Sequence, residues 1–298
     1  MNVALAPRDG AVASNGRRAM RWSLPDWRRV LAGAVVLVCC VVAAFPLAWM
    51  VLTSLKTAHE TVQSPPVWFP RHPSLDAYRQ VTAVIDVPRS LRNSAVIATI
   101  TTAGILCTSL MAGYVFAKYR FRGRNLLFAL LMVTMFLPPI VTLIPLFRIV
   151  TQLGFDGRLV GVIAPGLANA FGIFLMRQFI QGVPDELIDA ARLDGASELR
   201  ILVVIVAPLV APALAALALF AFVYHWNSYL WPLTVLRGQE EQYPIVLSLG
   251  RLLSYTGAAK NTNLVMAGAS LAVIPPLVVF AFLQRYFVRS ISRSGFGG

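Results

Sequence analysis

The sequence predicts an all-α polytopic membrane protein with six transmembrane helices, and three observations carry that prediction. Of its 298 residues, 57 % are hydrophobic and 13 % are charged, about half the charged share of a soluble domain. Apolar runs of roughly twenty residues, the length a helix needs to cross hydrocarbon, recur along the chain. The basic residues gather in short clusters between those runs, as cytoplasmic loops of membrane proteins do.

Taken in order, residues 1–29 form a polar arm bearing Arg8, Arg17, Arg18, Arg21, Arg28 and Arg29. The first apolar run, at about 30–53, is long for a signal peptide and has no small-residue cleavage site before Lys56, so it reads as a retained span. Further spans are expected at about 92–117, 125–148, 159–181, 207–231 and 263–286. The arm, the 118–124 loop with Lys118, Arg120, Arg122 and Arg124, and the tail with Arg285, Arg289 and Arg293 are all basic. With six spans this puts both termini and the 184–208 loop on the cytoplasmic side. The outer 56–91 loop carries Lys56, Arg71, Arg79 and Arg89 but dilutes and partly balances them with Glu60, Asp76 and Asp86. Residues 30–298 then make one membrane domain, with no low-complexity linker and no internal repeat.

Proline pairs at Pro138-Pro139 and Pro275-Pro276 fall inside expected spans. Each removes backbone donors, a defect tolerated in lipid where other helices or a water-filled cavity satisfy the freed carbonyls. Those two helices are therefore expected to face the bundle interior, a simple kink being the alternative. The aromatic clusters PPVWFP at 65–70 and YLWPL at 229–233 suit anchoring at the membrane interface.

The stretch from Pro184 to Pro208 holds five of the thirteen acidic residues: Asp185, Glu186, Asp189, Asp194 and Glu198. Its chemistry predicts two short helices. Pro184 suits a first helical position, Asp185 and Glu186 complement the helix dipole, and Gly195 can take the left-handed conformation that ends a helix. Leu199, Leu202, Val203 and Val206 then recur at helical spacing, giving the second helix one apolar face.

This run resembles the EAA motif of bacterial ABC importer permeases: Glu-Ala-Ala, two residues, Asp-Gly-Ala, eight residues, Ile, one residue, Leu-Pro. Ala190, Ala191, Asp194, Gly195, Ala196, Ile205 and Pro208 match. Asp189 stands for the Glu, one methylene shorter, and Ala207 for the Leu. LKT at 55–57, NSAVIA at 93–98, YVFAKYRFRGR at 114–124, FLPPIVTLIPLF at 136–147, WNSYLWPL at 226–233 and FLQRYFVR at 282–289 look like the carbohydrate-importer branch. They are similar to the smaller permease subunit of the maltose type. The resemblance implies a type I ABC importer permease fold in a bacterial inner membrane. It also implies a second permease subunit as heterodimer partner, two ABC ATPase subunits, an extracytoplasmic solute-binding protein and a sugar-like solute. On the same ground, Asp189 and the matched residues of the loop are expected to couple the chain to the ATPase.

Other function classes lack their chemistry. None of the lysines, Lys56, Lys118 and Lys260, follows a glycine-rich phosphate loop, so ATP hydrolysis is expected in a separate subunit. There is no nucleophile elbow, no His-Glu-x-x-His, and no acid or lysine at the centre of a span where proton-coupled carriers place a relay. Cys39, Cys40 and Cys107 sit in apolar runs, and the three histidines lack zinc spacing, so no cofactor or metal is expected. The net charge of +13 is scattered, without a basic face that could track nucleic acid. The candidates for a solute pathway are neutral polar residues in or near spans: Asn93, Thr99, Thr101, Thr102, Asn169, His225, Asn227 and Ser228. Such groups can hydrogen-bond a hydroxylated solute, or else bond helix to helix. A non-transporting membrane scaffold is the alternative from another class.

Overall fold

The structure, a computed structural model, describes residues 26–256 and 261–294, with side chains over 27–254 and 261–285. Most of the arginine-rich arm and the end of the basic tail lie outside the described residues. The chain divides into two compact units at Pro46 and Leu47. The first unit holds most of α1 (Asp26–Ser54), whose side chains from Trp27 to Ala48 are all exposed. A helix that is apolar all round and exposed along this length is built for hydrocarbon.

The second unit begins with α2 (Ala58–Thr61), closed by a capping box between Thr57 and Glu60, and α3 (Asp76–Val84). α4 (Val87–Lys118) starts five residues before the expected span because Asp86 caps it, accepting from the Arg89 amide, and Pro88 fits its first turn. α5 (Arg124–Thr134) and α6 (Pro139–Gln152) follow, then α7 (Leu159–Ile163), a 3₁₀ turn Ala164–Gly166, and α8 (Ala170–Gln181). Next come α9 (Asp185–Leu193), α10 (Glu198–Arg200), a π turn Ile201–Val206 and α11 (Ala207–Leu209). α12 (Ala211–Trp226), α13 (Leu230–Val235), a 3₁₀ turn Glu240–Gln242, α14 (Ile245–Thr256) and α15 (Thr262–Ser294) complete the chain.

Several expected spans prove to be broken. The 125–148 run is two helices, α5 and α6, bent by 102°, because Pro138 takes an extended backbone ahead of α6. The 159–181 run is interrupted at Leu167–Asn169, and the 207–231 run ends at Trp226 and turns through 85° from the α10–α11 segment at Val210. Pro275-Pro276, in contrast, lies within the continuous α15. Among the described residues four helical segments are long and apolar enough to cross a membrane alone, or six if each bent pair counts as one span.

The bundle centre is α4 packed against α8 and α12. The backbones approach closely because the contact positions are small: a Cβ added to Gly113 would stand 2.6 Å from the Met176 Cβ, and one on Gly172 would collide with Ser109. In lipid, where apolar tails offer no hydrophobic drive for helix association, such close packing holds helices together. The core around Ile105, Met176, Ile180 and Leu217 continues without a gap into Ile188, Ala191, Ile201 and Val206 of the 184–208 loop.

Candidate functional site

The loop corner is built by backbone chemistry. Pro184 immediately precedes α9 rather than opening it, and Asp185 and Glu186 occupy the first turn. At the other end the Ala196 amide donates to the Ala191 carbonyl and the Gly195 amide to that of Arg192, both at 3.0 Å. This is a Schellman closure, and it needs the left-handed φ of +79° that Gly195 supplies. Ser197 then caps the second helix through the Arg200 amide.

That second helix buries part of the face its spacing suggests, Leu202 and Val206, and adds Ile201 to it, whereas Leu199, Val203 and Val204 are exposed. The cause is the π turn, whose wider winding puts residues five apart, such as Ile201 and Val206, on one side. Burying a side chain the size of Ile188 or Ile201 stabilises by about 2 kcal/mol. Half-exposed ion pairs contribute under about 1 kcal/mol each, so apolar contacts hold the loop to the bundle and charges orient it.

Those charges form a cluster that joins the loop to the end of α4. Arg192 bridges the corner, its Nε 2.7 Å from Glu198 Oε1 and its Nη1 3.0 Å from Asp189 Oδ1. The Tyr114 hydroxyl donates to Glu198 Oε2 at 2.9 Å, and the Arg192 guanidinium lies over the Tyr119 ring. Lys118, with a buried side chain, donates to the Val183 carbonyl and pairs with Asp185 at 2.6 Å. The hydrogen bond from Arg192, with that of Tyr119, holds the Glu198 carboxyl down to about 2. Lys118 likewise lowers the Asp185 carboxyl by its hydrogen bond and its charge.

Of the loop candidates, Asp189, Ala190, Asp194, Gly195 and Pro208 are exposed, Ala191 is buried, and Ala196 and Ile205 pack against the core. Asp189 therefore spends its carboxylate within the loop, on Arg192. Sequence reasoning missed Tyr114, Lys118, Arg192 and Glu198. A signal was present, since Tyr114 and Lys118 are four apart on one helix face.

A second feature is a cavity of about 680 Å³. Three interruptions of regular backbone converge on it: Pro139 at the α5–α6 break, Ala168 and Asn169 at the α7–α8 break, and Asn227, Ser228 and Tyr229 between α12 and α13. Irregular backbone at membrane depth is tolerated where it lines a solvated cavity. Of the pathway candidates, Asn169, His225, Asn227 and Ser228 line this space. Gly166 lets His225 in: a Cβ there would lie 3.0 Å from His225 Cε1 and 2.7 Å from Thr101 Cγ2.

The other candidates lie elsewhere. Asn93 is buried in α4 and donates to the Glu241 and Tyr243 carbonyls at 2.9 and 3.3 Å, which fixes the α13–α14 connection. Thr99 is exposed on α4, and Thr101 and Thr102 are buried without hydrogen-bond partners for their hydroxyls among the described residues. Among the described residues no three His, Cys, Asp or Glu side chains come together in a metal-binding group.

An all-helical membrane protein whose broken helices surround a mainly apolar cavity with a few neutral polar groups is of the solute-permease class. Residues 104–293 match the family described as binding-protein-dependent transport system inner membrane component, and the chain belongs to that family. It is 36 % identical over 206 residues to the arabinooligosaccharides transport system permease protein AraQ of Bacillus subtilis, covering 69 % of this chain and 72 % of that one. It is 32 % identical over 269 residues to the sn-glycerol-3-phosphate transport system permease protein UgpE of Brucella suis, covering 88 % and 95 %. A chain in the crystal structure of a bacterial ABC transporter that imports the acidic polysaccharide alginate superposes with a TM-score of 0.73 at 27 % identity. That match covers 89 % of this chain and 99 % of the other.

Proposed function

We propose that the chain is one of two permease subunits in an ATP-driven, binding-protein-dependent importer of a carbohydrate-type solute. In this reading the cavity forms part of the solute path and the 184–208 loop receives the ATPase. Two ATPase subunits, a second permease and an extracytoplasmic binding protein complete the assembly in a bacterial inner membrane, with both termini of this chain cytoplasmic. The observation that carries the reading is the convergence of three broken segments on one cavity lined by Asn169, His225, Asn227 and Ser228. Relatives named for arabinooligosaccharides and glycerol phosphate support the solute class.

Mechanically, the loop is continuous with α12, whose far end carries His225 into the cavity. Its buried residues share one core with α4 and α8, and its charges seize the end of α4. A displacement of the corner by ATPase closure is thereby passed to the helices that shape the cavity. The test is ATP-driven uptake in proteoliposomes holding all the subunits, comparing the native chain with Gly166→Val, which fills the approach between Thr101 and His225. Uptake abolished with the ATPase still bound is the expected result. A chain that neither retains an ATPase nor supports uptake is a scaffold, and the proposal fails.

A further inference from the structure

We infer that the cavity is a binding site for uncharged oligosaccharides and excludes anionic solutes. The inference rests on the permease reading and narrows it, against relatives named for glycerol phosphate and a structural neighbour that imports acidic alginate.

The first ground is charge. Among the described residues no Asp, Glu, Lys or Arg lines the cavity. An anion bound there would give up part of its hydration without gaining a cation from this chain, which a neutral hydroxylated solute does not need. At the start of α8, Asn169 takes the Gly172 amide on its side-chain oxygen at 3.0 Å and the Ile173 amide on its carbonyl at 3.1 Å, so fewer free amides face an anion there.

The second ground is the hydrogen-bonding capacity left over. With its Oδ1 engaged, Asn169 offers its NH₂ group as donor. Asn227 is the reverse: its Nδ2 donates to the Val223 carbonyl at 2.9 Å, which leaves Oδ1 to accept. The His225 ring and the Ser228 hydroxyl can each supply a donor and an acceptor. Paired donors and acceptors without net charge match hydroxyl groups, which do both at once.

The third ground is shape. The Trp231 indole N–H is tied to the Val162 carbonyl at 3.2 Å, so the ring is held in place and presents its apolar surface. A fixed aromatic plane buries the C–H face of a sugar ring. The volume sits in the middle of the range for sites that hold ligands of several rings, about 300–1,000 Å³.

The test measures equilibrium binding of radiolabelled probes to this chain assembled with its partner permease and ATPase subunits in nanodiscs. Omitting the binding protein removes its own selection. The probes are arabinotriose and maltotriose, both neutral, against sn-glycerol 3-phosphate and an alginate trisaccharide. A neutral probe is expected to bind at least tenfold more tightly than either anion. His225→Ala and Asn227→Ala should each weaken that binding tenfold or more, while Thr99→Ala, outside the cavity, leaves it unchanged. Anion binding within tenfold of the neutral probes, no binding of any probe by an assembled complex, or neutral binding indifferent to both alanine variants overturns the inference and leaves the permease reading standing. Failure of the native chain to assemble with any ATPase contradicts the permease reading itself, and the inference falls with it.

Discussion

At the scale of single residues, Gly195 shows most directly how backbone geometry and function meet. Its φ of +79° closes the corner, and an added Cβ would have no neighbour within 4 Å. The expected penalty of substitution is therefore conformational, roughly 1 kcal/mol or more for a β-branched residue, with no clash inside the chain. Gly195→Val should insert normally yet uncouple uptake from ATP hydrolysis. Gly195→Asn, which tolerates the left-handed region, should retain most uptake. Equal loss in both variants, at equal abundance, would show that φ is not what matters there. Asp189→Glu should be tolerated, since the longer side chain can still reach Arg192. The Asp-Gly pair made this corner legible in the sequence. Asn93 was not: a polar residue in an apolar run looks the same whether it meets a solute or, as here, two carbonyls 148 and 150 positions away.

At the scale of elements, identical dipeptides have opposite outcomes. Pro138-Pro139 separates two helices at 102°, whereas Pro275-Pro276 sits inside a continuous helix. Missing N–H groups and a preset φ are common to both, so tertiary surroundings decide, and those are invisible to a local reading. The π turn escaped for a related reason. Its residues are plain aliphatics, and only the pull of the core on Ile201 and Val206 together selects the wider winding. The existence of the apolar helices was legible because composition over twenty residues is a strong signal. The α4–α8 contact yields a prediction at this scale. Gly113→Val, with its Cβ forced to 2.6 Å from that of Met176, must push the helices apart. We expect a fall in the thermal unfolding midpoint of the detergent-purified protein, together with loss of assembly. An unchanged midpoint would mean that the close approach contributes little to the packing.

For the whole molecule, the charge asymmetry and the loop predict a sidedness that cysteine chemistry can read. Cys39, Cys40 and Cys107 are free and exposed, so they must be replaced first. In the cysteine-free chain, Glu240→Cys should react with an impermeant thiol reagent in intact cells, and Arg122→Cys and Asp194→Cys only after the membrane is opened. Labelling of Asp194→Cys from outside would invert the topology. The same chain serves the most direct test of the central claim, that the 184–208 loop is where the ATPase takes hold. Leu193, 90 % exposed beside the corner, projects from the loop with none of the described residues covering it. In the assembled transporter, Leu193→Cys treated with a short bifunctional crosslinker should join this chain to an ATPase subunit, while Glu240→Cys should not. A complex that keeps its ATPase subunits but gives no crosslink from Leu193→Cys would contradict the account.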